Sequence, residues 1–284
     1  MIGLNQSSVD IHKGNLMIRT SFLFLFGWCC LLSPLAFAHD TWVETNSNLV
    51  RTGGAVYIDL KLGNHGNDHR DFKLASKLDL EGCSVDLVSP DGTRYDLLDR
   101  LIDTGYAPNE GYWTSKFVVK KPGLYTVEHT LDKLLNHGHP IRAIKSAKTF
   151  FVVTPSLDQV SVDNPGFDRV AGHALELVPM SNPVTPMGPG KKLRMQVLFE
   201  GKPLADAKVS YIPQGVSLAE GFDEQYERNT DADGAVSFTP KSGNRFLIAV
   251  HHKVPAVDGE AYDETLYAAT LTVLVPEICP CCGE

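Results

Sequence analysis

Histidines concentrate in the first half of this 284-residue chain, and several of them lie close together in sequence. Imidazole is the usual protein ligand for nickel, cobalt, copper and zinc ions, and flanking glycines leave room for two rings to converge. This spacing predicts that a subset of these side chains binds a transition metal. The alternative is that the histidines between strands are solvated surface residues. The candidate ligands are His39, His65, His69, His129, His137 and His139.

Alternation along predicted strands restricts which histidines can act together. His129 shares a strand face with Tyr125 and Val127, so it is either a histidine at the edge of the core or the one ligand fixed on a strand. His251 and His252 are adjacent on a later predicted strand and point to opposite faces, so they cannot both serve one site. We therefore leave these two residues out of the candidate site.

His39 gains chemical interest from the segment that precedes it. Basic residues are followed by an apolar run over residues 22–32, too short to span a bilayer, and by the small-residue triplet 36–38. This pattern is typical of a secretory signal peptide, so residues 1–38 are predicted to be removed and the mature protein to be periplasmic. Cleavage after Ala38 would give His39 a free α-amine, and this amine could chelate Cu(II) or Ni(II) together with the imidazole. The alternative is that a first-residue histidine is merely tolerated.

The last eight residues, 277–284, form a cysteine-rich tail that contains Cys279, Cys281 and Cys282. Thiolates bind soft and borderline metal ions, so the tail could capture or transfer such an ion. An oxidising compartment would equally favour a disulfide, either within the chain or between two chains. We favour a disulfide, or a tail without a specific role, over a dedicated metal site.

Several function classes are excluded by composition and motifs. The chain has 26 Lys+Arg against 34 Asp+Glu, a formal net charge of −8, and no basic run, so nucleic acid is a poor candidate partner. It contains no Gly-x-Ser-x-Gly, no His-Glu-x-x-His and no phosphate-binding glycine loop, and we therefore predict a non-enzymatic protein. After signal cleavage no stretch approaches ~18 apolar residues, which predicts that no transmembrane span remains.

The elements that must position these residues are predicted to be strands. Short alternating or β-branched runs recur between turn residues, and long helical periodicity is absent, apart from a helical turn predicted over residues 143–148. This pattern predicts an all-β chain with two antiparallel β-sandwich domains in tandem. The predicted boundaries are residues 39–154 for the first sandwich, 155–164 for a linker and 165–276 for the second sandwich.

Four segments carry a resemblance to known families. Residues 201–209 (GKPLADAKV) and 229–238 (NTDADGAVSF) resemble the turn-and-strand pattern of transthyretin-like and Ig-like sandwich modules. Together with the start HDTWVE at 39–44 and the strand GHALELVP at 172–179, they make the whole of residues 39–276 similar to a DUF4198-like family of periplasmic proteins of unknown function. The resemblance implies an accessory or substrate-binding component of nickel or cobalt uptake.

Two hypotheses follow for function. In the first, the protein binds nickel or cobalt, with copper as a further candidate, and presents the ion to an inner-membrane metal uptake transporter. In the second, it is a non-enzymatic module of the cell envelope whose Ig-like domains mediate interaction or adhesion. A third and less favoured hypothesis treats a copper-loaded His39 as an oxidative enzyme that acts on polysaccharide.

Overall fold

The computed structural model describes residues 39–63, 72–136 and 138–278. These residues belong to one compact unit that spans Phe37–Glu284. The predicted signal peptide, the three tail cysteines and the candidate ligands His65, His69 and His137 lie outside the described residues. The described residues form no helix long and apolar enough to cross a membrane.

Strands make up nearly all of the regular structure, and the described residues contain one 3-10 turn, Leu98–Arg100. The first half contains β1 (Asp40–Thr45), β2 (Leu49–Arg51), β3 (Ala55–Gly63), β4 (Cys83–Val88), β5 (Arg94–Asp96), β6 (Ile102–Asp103), β7 (Trp113–Val118), β8 (Gly123–Asn136) and β9 (Pro140–Thr154). The second half contains β10 (Leu175–Pro179), β11 (Leu193–Phe199), β12 (Lys202–Pro203), β13 (Lys208–Pro213), β14 (Glu227–Asn229), β15 (Ala235–Phe238), β16 (Asn244–Pro255) and β17 (Glu264–Val275). The all-β prediction is confirmed.

The strands form three sheets. The large sheet has nine strands in the order β14-β13-β16-β17-β9-β8-β4-β5, with β2 also paired to β9. The amino-terminal sheet has the order β1-β3-β7-β6, and the carboxy-terminal sheet joins β10, β12 and β15 to β11. Strand pairing is antiparallel except where β17 and β2 run parallel to β9. Strands from both halves thus share the large sheet, and the division into tandem domains stays a prediction.

Strand β9 separates two apolar cores. Phe150 and Val152 pack with residues of the carboxy-terminal sheet on one face, whereas Phe151 and Val153 pack with residues of the amino-terminal sheet on the other. A strand that is buried on both faces has no polar side to alternate with the apolar side. The helical turn predicted over residues 143–148 is wrong for this reason, because the mixture of alanine, lysine and serine there belongs to β9.

Buried charge attaches the carboxy-terminal sheet to β9. Lys148 Nζ donates to Glu176 Oε1 at 2.6 Å, and both side chains are almost completely buried. The carboxylate of Glu176 also accepts the backbone amides of Ala171, Gly172 and His173. Burial lowers the pKa of Lys148, which the attraction of Glu176 opposes. Removal of one partner would leave a buried charge uncompensated, at a cost of roughly 3–5 kcal/mol.

Strand β1 lies over the large sheet with all six residues buried. Val43 joins the core beneath the amino-terminal sheet, while Trp42 packs with Ile212 of β13 and Leu247 of β16 in a separate cluster. Thr270 Oγ1 of β17 donates to the backbone oxygen of Thr41 at 2.8 Å. The first strand is therefore held by strands from the far end of the chain.

Replacement of Trp42 tests this attachment. We expect Trp42→Ala to lower the free energy of unfolding by about 3–5 kcal/mol, because it removes a fully buried indole from a cluster shared with β13 and β16. Denaturant-induced unfolding measures the change. The matched control is Tyr57→Ala on neighbouring β3, where the side chain is 45% exposed, and a loss of about 0.5 kcal/mol is expected there. Equal losses in the two variants would contradict the account.

Candidate functional site

The start of β1 lies against β16. Both carboxylate oxygens of Asp40 are close to His251 Nε2, at 2.9 Å and 3.0 Å. Asp40 is fully buried, whereas the side chain of His251 is 34% exposed. Alternation along β16 explains why His251, and not His252, contacts Asp40: Leu247 and His251 share the face that meets β1. The neighbouring His252 packs instead on Phe199, with ring centroids 4.5 Å apart.

Lys145 reaches the same place from β9. Its Nζ donates to the backbone carbonyl oxygen of His39, and the lysine side chain is buried. Burial lowers the pKa of Lys145 to about 8, while the nearby Asp40 and Cys83 oppose that shift. The register explains the convergence, since Lys145 pairs with Ala268 and Ala268 pairs with His251 in one row across the large sheet. The amino group of Lys145 and the carboxylate of Asp40 thus both lie at the start of β1.

The chain leaves β3 at Gly63 and returns to contact the same residue at Leu74, next to the start of β1. Gly63, the last residue of β3, pairs with Asp40 and forms an isolated bridge with Leu74. A Cβ added to Gly63 would lie 1.9 Å from the carbonyl oxygen of Lys73, so this close approach requires glycine. Both ends of the excursion that carries His65 and His69 in sequence are therefore fixed next to the beginning of β1.

His129 is built into the core. Its Nδ1 lies 2.7 Å from the carbonyl oxygen of Ser84, which can only accept, so Nδ1 carries the proton. Its Nε2 then accepts from Thr41 Oγ1 at 3.1 Å. Burial lowers the pKa of His129 to about 4. Both ring nitrogens are engaged within the protein, and this geometry favours the core interpretation over the metal ligand predicted from sequence.

His139 lies at the other end of the β8–β9 hairpin. Its side chain is 36% exposed, and Nε2 is 3.8 Å from Glu264 Oε1. Lys145 is six positions further along the extended chain, which corresponds to roughly 20 Å. The structure therefore does not bring His139 to His39. In the described parts of the chain, no three His, Cys, Asp or Glu side chains are arranged to hold a metal ion.

Sequence reasoning did not include Asp40, Lys145 and His251 in the candidate site. Asp40 and His251 are 211 positions apart, and no local pattern connects them. The available signal was the parity of the strand around His251, which places it on the same face as Leu247. Which strand covers that face depends on tertiary packing, so parity alone could not identify β1 as the partner.

The buried His129 predicts a specific pH dependence of stability. In the unfolded chain this histidine takes up a proton near its ordinary pKa of 6.5, whereas in the folded protein it stays neutral until about pH 4. The contribution of His129 is therefore fully present above about pH 6.5 and is lost as the pH falls towards 4, by about 3 kcal/mol in total. Urea unfolding at pH 7 and pH 4.5 should show a smaller difference for His129→Gln than for the unsubstituted protein.

His252, which is less deeply buried than His129, provides the control for this experiment. His252→Gln should retain the full pH dependence of the unsubstituted protein. An unchanged pH dependence in His129→Gln would contradict the assignment of a neutral, buried His129.

Comparison with solved structures adds low-identity likenesses. The D0-D1 domain of intimin is 11% identical, with 83% of this chain and 98% of that chain covered and a TM-score of 0.23. An alpha-2-macroglobulin mutant from Salmonella is 15% identical, with 83% and 15% covered and a TM-score of 0.24. A DUF4785 family protein from Legionella pneumophila is 14% identical, with 73% and 50% covered and a TM-score of 0.27. TM-scores this low support no inference about function.

Sequence comparison gives a firmer result. No curated protein matches the chain. The family model described as "Domain of unknown function (DUF4198)" matches residues 36–254, which include β1, most of β16 and His251. The description names no activity, so any role in metal binding must be argued from the residues of this chain. Since the match covers well over half of the sequence, the protein belongs to the DUF4198 family.

Proposed function

We propose that this protein is an exported, periplasmic and non-enzymatic transition-metal-binding protein. Cleavage after Ala38 would create the site, in which the α-amine and the imidazole of His39 chelate one ion. Nickel and cobalt are the proposed ions, with copper as a further candidate, because nitrogen ligands of this kind suit all three. The proposed partner is an inner-membrane metal uptake transporter that receives the ion.

One observation carries the proposal, namely how firmly β1 is fixed directly after His39. The carbonyl oxygen of His39 accepts from the buried Lys145, and the next residue, Asp40, contacts His251. A terminal chelate loses affinity if its backbone must first be ordered, because that ordering costs about 1–2 kcal/mol per residue. Here the main chain next to the chelating groups is already held by the fold.

Two further candidate ligands, His65 and His69, follow the end of β3 in sequence. Gly63 is paired with Asp40, and His65 follows two residues later in sequence. Two residues of chain span at most roughly 7 Å. His65 and His69 thus remain candidate ligands of the amino-terminal ion, whereas the engaged nitrogens of His129 and the distant position of His139 give these two residues no support.

A metal titration tests the proposal. Protein purified from the periplasm, with His39 verified as its first residue, is titrated with Ni(II), Co(II) and Cu(II) by calorimetry. A second version carries one extra alanine before His39, which removes the free α-amine from that residue. We expect one-to-one binding by the processed protein and at least about tenfold weaker binding by the extended version, equivalent to about 1.4 kcal/mol.

Two results would count against the proposal. Equal affinity in the two versions would show that the amino terminus is not a ligand. Absence of binding in both versions would remove the metal role and favour an interaction module of the cell envelope.

A further inference from the structure

We propose that His251 supplies a second imidazole to the amino-terminal metal site and that Asp40 orients this imidazole. The inference rests on the proposed function, because it assigns a ligand to the same site. It differs from the sequence-based prediction, in which every candidate ligand came from the first half of the chain. The two halves of the protein would then hold one ion together.

His251 is positioned close to the start of β1. It lies on the face of β16 that meets β1, and its Nε2 contacts the carboxylate of Asp40, the residue directly after His39. The adjacent His252 faces the other side of the large sheet and packs on Phe199. The fold therefore brings only one of these two neighbouring histidines to the beginning of β1.

The contact with Asp40 also orients the imidazole ring of His251. A carboxylate can only accept, so the contact with Asp40 places the proton of a neutral His251 on Nε2 and the metal-binding lone pair on Nδ1. Metal-ligating histidines usually donate their other ring N–H to a carboxylate or a carbonyl group, which fixes the tautomer and raises the basicity of the ligand. The fully buried Asp40 meets this description.

Solvent access and the nearby charges also favour His251 as a ligand. His251 lines a surface depression to which Lys145, His252, Lys253 and Ala268 also contribute, and its side chain is 34% exposed, so an ion can approach it from solvent. Lys145 brings positive charge to this place, but its Nζ is directed to the carbonyl oxygen of His39, and Asp40 provides a compensating negative charge. The combination leaves a partly exposed imidazole beside a carboxylate.

Cu(II) is the probe that can count imidazoles directly. Electron paramagnetic resonance and spin-echo modulation of the one-to-one complex report how many histidine rings bind the ion. We expect two imidazoles in the processed, unsubstituted protein. We expect one imidazole and at least about tenfold weaker binding in His251→Gln, while the matched variant His252→Gln should keep two imidazoles and the unsubstituted affinity.

A further variant separates the competing sources of the second ring. Replacement of both His65 and His69 by glutamine should leave the imidazole count at two if His251 is the second ligand. A count that falls to one in this double variant and stays at two in His251→Gln would overturn the inference. Circular dichroism and urea unfolding of each variant confirm that the protein is folded when the count is made.

The outcomes also separate this inference from the proposed function. If the alanine-extended protein loses Cu(II) while His251→Gln retains the ion with two imidazoles, the amino-terminal site stands and the role of His251 is wrong. If the processed protein shows a single imidazole, the inference fails in the unsubstituted protein, independently of the folding of any variant. If the processed protein binds no Cu(II), the proposed function and the inference fail together.

Discussion

Burial of both faces of β9 is the constraint on which the rest of the structure depends. A strand in this position must present apolar side chains in both directions, and Phe150 and Phe151 do so from consecutive positions. The two four-stranded sheets can then cover opposite faces of the large sheet. Apolar burial contributes about 25 cal/mol per Å² of surface removed from water. Because apolar side chains on both faces of β9 are buried, this strand stabilises both cores.

The same strand introduces charge into both interiors, and each charge fixes another segment. Lys148 faces the carboxy-terminal sheet and holds Glu176 beside β10. Lys145 lies on the opposite face and holds the carbonyl oxygen of His39 at the start of β1. A buried ammonium group is costly unless it is paired and hydrogen-bonded, so each lysine restricts where its partner segment can lie. The position of His39 at the candidate site therefore depends on the hydrogen bond that the buried Lys145 requires.

Local patterns in the sequence were sufficient for the class of fold and for the strand face on which some histidines lie. Short strands between turn residues predicted an all-β protein, and alternation placed His129 on one face with Tyr125 and Val127, which lie in the same core. Alternation also separated His251 from His252. These inferences succeed because the side-chain period of a strand is a property of a few consecutive residues.

The missed features depend instead on residues that are distant in sequence, such as Lys145 and Ala268 in the parallel pairing of β9 with β17. Packing between strands that are remote in sequence determines these features, so a pattern of a few consecutive residues cannot predict them.

The attachment of β1 also has a consequence for the order in which the chain can fold. Its residues depend on Thr270 of β17 and Leu247 of β16, which are synthesised roughly 200 positions or more after Asp40. Contacts between such distant positions form late, because a long loop must close before they contribute free energy. The contacts of β1 with β16 and β17 thus form only after the last strands have been completed, whereas its pairing with β3 can form early. The amino-terminal sheet, in which β1 pairs with β3, can therefore begin to assemble long before β1 is attached to the large sheet.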